Sequence, residues 1–112
     1  MTGSHADPQT VQTIRELAGQ LDRVRLTMRA QCDLWAEHLT KENVCDAICD
    51  WIDAGKPVGV ITTAHVAEHR GEPAYEMLPQ VGDAELYVKV TIVDLGDWQE
   101  KLLIISSHRP DR

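Results

Sequence analysis

Hydrophobic positions change period near the middle of this chain. Val11, Ile14, Leu17, Leu21 and Val24 recur at spacings of three and four, the mark of one buried helical stripe. Asp7 as N-cap and Pro8 at the first helical position predict a helix from about Pro8 to Asp22. A second helix is expected from Thr27 to His38, with Met28, Cys32, Trp35 and Leu39 on its apolar side. A third should run from Thr40 to Ala54, capped by Thr40 and stopped by Gly55 and Pro57. After Pro57 the pattern turns β-branched and shorter. Val58–Thr63, Ala74–Leu78, Glu85–Val93 and Lys101–His108 read as four strands in meander order, with a turn at 79–83 and a hairpin loop from Asp94 to Asp97. Helices and strands are segregated along the chain, so the expected class is α+β: three N-terminal helices packed on a four-stranded antiparallel sheet. Residues 1–7 are expected to be a disordered or expression-derived leader, and 8–112 a single domain.

Composition narrows the reading. The 112 residues are 43% hydrophobic, enough for one modest core. No apolar run reaches the roughly 20 residues a membrane helix needs, and the start lacks the layout of a secretion signal. Three cysteines, Cys32, Cys45 and Cys49, argue against a disulfide framework. A reduced, cytoplasmic protein away from membranes is the expectation. The formal charge of -7 is spread over both halves, which excludes a basic nucleic-acid arm. Any contact with RNA must be local, and an acidic surface equally suits a basic protein partner.

Three constellations carry candidate chemistry. Cys45-x3-Cys49 with His65-x3-His69 approaches a zinc spacing, but the cysteines share a helix with Val44, Ile48 and Ile52, where free thiols pack as small hydrophobes. Core packing is the preferred reading, and no metal or cofactor is expected. His65-Val-Ala-Glu-His69 also matches a metalloprotease string, although the domain has little room for a third ligand and a cleft. Trp35 and Trp51 are assigned to the core, and Trp98 to partial packing in the hairpin loop.

The third set is Tyr87 and Lys89 on one strand face with His108 and Arg109 at the end of the last strand, joined by His65, His69 and Arg70. Cleaving RNA through its own 2'-hydroxyl takes a base, a cation beside the phosphorane and an acid for the leaving 5'-oxygen. His108 is the first candidate for acid or base, with His65 and His69 in reserve. Tyr87 is a donor and orienter, while Lys89, Arg70 and Arg109 are phosphate binders.

The order of several strings resembles the MqsR family of type II toxins, bacterial mRNA interferases with a RelE-like α+β fold. They are Val24-Arg-Leu-Thr27, Cys45-Asp-Ala-Ile48, Thr62-Thr63, Pro79, Leu86-Tyr-Val-Lys-Val-Thr91 and Leu103-Ile-Ile-Ser106. The resemblance implies a toxin–antitoxin endoribonuclease, with RNA as substrate and a cognate antitoxin as protein partner. Tyr87 falls on the family's active-site tyrosine. Its lysine on the last strand is replaced by His108, its lysine on the first strand by Gly59, and its second-strand glutamine by Ala74 or Tyr75. The alternative is a non-catalytic protein-interaction module of the same fold with an acidic binding surface.

Overall fold

The computed structural model describes residues 4–62, 73–94 and 99–109. Its α+β character and its three helices follow the sequence reading, and the central meander is present. Strands β1 (Ser4–His5), β2 (Val24–Leu26), β3 (Gly59–Thr62), β4 (Pro73–Met77), β7 (Tyr87–Asp94) and β8 (Glu100–His108) form one sheet in the order β1-β3-β4-β7-β8-β2. A small hairpin, β5 (Gln80–Val81) and β6 (Ala84–Glu85), turns at Gly82, whose φ of 61° favours glycine.

The sheet is wider than the expected four antiparallel strands, and it is mixed. Ser4 and His5 pair antiparallel with β3, so the fold takes in part of the segment assigned to a leader. Val24–Leu26 pairs parallel with Leu102–Ile104. The first helix, α1 (Pro8–Ala18), accordingly ends before Asp22 at Gly19, and a 3-10 turn over Leu21–Arg23 delivers the chain to β2. Val24, fully buried, belongs to the sheet rather than to a helical stripe. Three residues are too few to announce a strand locally, and only the partner strand makes it one.

Helix α2 (Met28–Ala36) is capped by Thr27, whose Oγ1 accepts the Ala30 N–H at 3.0 Å. Its core face is Ala30 and Leu34. Met28 is 74% exposed, Trp35 65% exposed, and Cys32 lies open on the same line. The expected placement of Trp35 in the core is therefore corrected: the rotation of α2 is set by its attachment to β2 and β8, not by its most apolar side. The helix ends two residues early because His38 takes φ 59°, and Leu39 N–H closes the end on the Leu34 carbonyl. Helix α3 (Lys41–Asp53) begins with a reciprocal Thr40–Asn43 capping box. Trp51 is half-buried against the main cluster, its indole N–H donating to the Pro57 carbonyl at 2.8 Å.

The main core joins Ile14 and Leu17 of α1, Leu34 of α2 and Val44, Cys45 and Ile48 of α3 to Val88, Val90, Leu102 and Ile104 of the sheet. Cys45 is a core residue, and burial pushes its thiol up to about 12. Among the described residues no group of His, Cys, Asp or Glu could hold a metal; His65 and His69 lie outside them, as does Trp98. A second buried cluster, Ala74, Val93, Leu103 and Ile105, occupies the opposite sheet face.

Two outcomes check this packing. Thiol labelling should proceed in the order Cys32, Cys49, Cys45, from exposed to buried, read by mass spectrometry against time. Ser107 is fully buried, and its Oγ has no hydrogen-bond partner among the described residues. Ser107→Ala should therefore raise unfolding stability by about 1 kcal/mol in a denaturant titration.

Candidate active site on the outer sheet face

The site depends on one extra residue in β8. Along β7 and the first part of β8, Thr91 pairs with Leu103 and Val90 with Ile104, but Lys89 pairs with Ser106, leaving Ile105 without an opposite number. Such a bulge reverses the face alternation beyond it. Without it, Ser107 would stand opposite Tyr87 and the His108 imidazole would fall on the helix side. With it, Tyr87 pairs with His108, and the two rings sit 5.5 Å apart between centroids at 41°. Both face away from the helices.

The bulged end is tied down from the strand's free edge. Thr27 N–H donates to the Ile104 carbonyl at 3.1 Å, and Thr27 Oγ1–H to that of Ile105 at 2.7 Å. Asp33 Oδ2 accepts the Ser107 N–H at 3.0 Å. Where β2 ends, side chains of the α2 region take over its hydrogen-bonding role and fix the final residues of β8.

Around the ring pair lies a polar row. Cross-strand register aligns His5, Gly59, Glu76, Lys89 and Ser106 across five strands on that face. Tyr87 O–H reaches diagonally to Glu76 Oε1 at 2.8 Å. Partial burial, then the bond to Glu76 and the carboxylate's charge, push the Tyr87 phenol up to about 12. Tyr87 is thus a neutral donor, never a base, near physiological pH. His108 Nδ1 lies 2.8 Å from the Arg109 carbonyl. A carbonyl only accepts, so Nδ1 carries a proton and Nε2 is left to exchange one. The Lys89 side chain, half-buried, makes no ion pair or hydrogen bond among the described residues.

Tyr87, Lys89 and His108 are therefore brought together. Arg109 is not: strand alternation turns it toward α2, where its Nε meets Glu37 Oε1 at 2.9 Å. Arg109, expected as a phosphate binder beside His108, thus stands with Glu37 and not with Tyr87 and Lys89. His65, His69 and Arg70 lie outside the described residues. Two members of the face went unread in the sequence, Glu76 and His5. Glu76 was detectable as an ionisable group in alternation with the inward residues Tyr75 and Met77, whereas His5 gains its position only through the β1–β3 pairing.

The Tyr87–Glu76 contact has a thermodynamic signature. A phenol whose folded pKa lies near 12 rather than near its ordinary 10 contributes fully below pH about 10, and that contribution is lost as pH rises toward about 12. Denaturant midpoints should fall more steeply across this window for the wild type than for Tyr87→Phe. Cys45 titrates in both proteins, so the difference between the curves isolates the phenol. Comparison of the chain with protein-family models, with curated proteins and with solved structures returned no match.

Proposed function

We propose that this protein is an endoribonuclease that cleaves RNA by attack of the 2'-hydroxyl on the adjacent phosphate. The reading is carried by the convergence of Glu76, Tyr87 and His108 on one sheet face, with Lys89 between the first and the last. Glu76 accepts the 2'-hydroxyl proton, the freed oxygen bonds to phosphorus, and the P–O5' bond breaks. His108 delivers a proton from Nε2 to the departing 5'-oxygen, leaving a 2',3'-cyclic phosphate and a 5'-hydroxyl. Lys89 offsets the charge on the phosphorane. Tyr87 holds the Glu76 carboxylate in place and forms a wall for the imidazole. No metal or cofactor enters these steps. The toxin reading follows from the same chemistry together with the resemblance to mRNA interferases, and it includes neutralisation by a cognate antitoxin.

One observation favours a second reading, a protein-interaction module. Met28 and Trp35 stand exposed along α2, and large apolar side chains in line on a small acidic domain suit a protein contact.

With purified protein and a set of structured and unstructured RNAs, Glu76→Gln and His108→Ala should each lower the single-turnover rate by about 10²–10⁴-fold. Tyr87→Phe should cost less, because it removes a holder and not a proton carrier. RNAs left intact by the wild type, with no growth phenotype lost in His108→Ala, would move the assignment to the interaction module.

A further inference from the structure

Beside Glu76, on the side away from Lys89, lies a cleft of about 280 Å³ whose walls include Trp51, Leu78, His5 and Gly59, with Glu76 and Tyr87 at one end. Two larger clefts of the described surface adjoin neither Glu76 nor Tyr87. We infer that this cleft is the subsite for the nucleobase on the 5' side of the cleaved bond, an inference that rests on the endoribonuclease reading.

Strand order supplies the argument. Gly59, Glu76, Lys89 and Ser106 follow one another across β3, β4, β7 and β8, about 4.8 Å apart. If Glu76 takes the 2'-proton and Lys89 faces the phosphate, the leaving nucleoside lies toward His108. The nucleoside that owns the attacking hydroxyl then lies on the far side of Glu76, over Gly59. Its base is one ribose away from that carboxylate, and the space available there is the cleft.

The walls suit such an occupant. A base has apolar faces and a polar rim, and Leu78, 41% exposed, and Trp51 offer apolar surface. The Trp51 indole is fixed by its bond to Pro57, and one of its faces carries the Lys56 ammonium 5.2 Å from the ring centroid. Gly59 lets the Glu76 side chain lie across it at the cleft: a Cβ there would come within 3.0 Å of Glu76 Cγ and 3.2 Å of its Oε2. His5 is the polar side chain on the outer wall, able to donate or accept, so the subsite holds a base without demanding one identity.

Two measurements test the subsite, one of them independent of cleavage. Titrating the labelled protein with each nucleoside 3'-monophosphate should shift the Trp51 indole and His5 resonances for every base. Leu78→Ala and His5→Ala, both at exposed positions, should weaken that binding by about tenfold and about threefold, respectively, as expected for lost apolar contact and lost edge contact. In cleavage assays Leu78→Ala should raise KM while leaving kcat within about twofold. An abasic nucleotide 5' to the cleaved bond should be cut poorly. If RNA is cleaved but nucleotides leave Trp51 and His5 unmoved and abasic substrate is cut normally, the subsite is wrong and the nuclease reading stands. Nucleotides that shift these resonances in a protein that cuts no RNA would keep the cleft as a nucleotide site and remove the catalysis. Silence in both assays would overturn both.

Discussion

Strand β8 is enclosed by β7 on one edge and β2 on the other, and it is buried on both faces from Lys101 to Ser107. That enclosure fixes its phase. Leu102 and Ile104 fill the helix side, Leu103 and Ile105 fill the other, and each such side chain contributes roughly 1.5–3 kcal/mol through burial. A slip by one residue would exchange the two sets, so the apolar half of the strand is locked in register. Beyond Ile105 the constraint changes character: a hydrogen bond donated by Thr27 and one accepted by Asp33 hold the polar end, and the bulge between the two regimes points His108 at Tyr87. The chemistry of the outer face thus depends on a strand whose two halves obey different forces.

Electrostatics on that face are local. The chain carries a net charge of -7, and the ion pairs Arg15–Asp53 and Arg109–Glu37 are side-chain contacts at the surface that add little to stability. Lys89 is different, because it stands between Glu76 and Ser106 on the polar row and Glu76 spends one oxygen on Tyr87 instead. On a chain of this charge Lys89 acts on an anion only at short range, because the net negative charge supplies no long-range attraction.

The two faces of α2 divide the burden differently. Its inward residues are Ala30 and Leu34, while its largest, Trp35, faces outward. The orientation of the helix toward β8 is fixed by polar contacts, since Asp33 must reach the Ser107 N–H and Thr27 must reach Ile105. The apolar line from Met28 to Trp35 is what remains when edge satisfaction of β8 outranks burial of the greatest apolar area.

Local rules sufficed for much of the architecture. The change from a 3.6 to a 2.0 period placed three helices before the main strands, the Thr40 cap marked a helix start, and Gly55 marked a stop. They also put Cys45 in the core and Tyr87, Lys89 and His108 near one another in the chain's last two strands. Tertiary structure decided the rest, because the deciding partners are distant. Val24–Leu26 is a strand only beside Leu102–Ile104, and His5 joins the outer face only beside Gly59. Arg109 leaves the site for Glu37, and Glu76 enters it because β4 lies next to β7. The bulge at Ile105 has no signature in an unbroken run such as Leu-Leu-Ile-Ile-Ser-Ser-His, since apolar residues there suit either face. Which face the histidine takes is settled by what packs against each side, and periodicity along the chain contains no record of that.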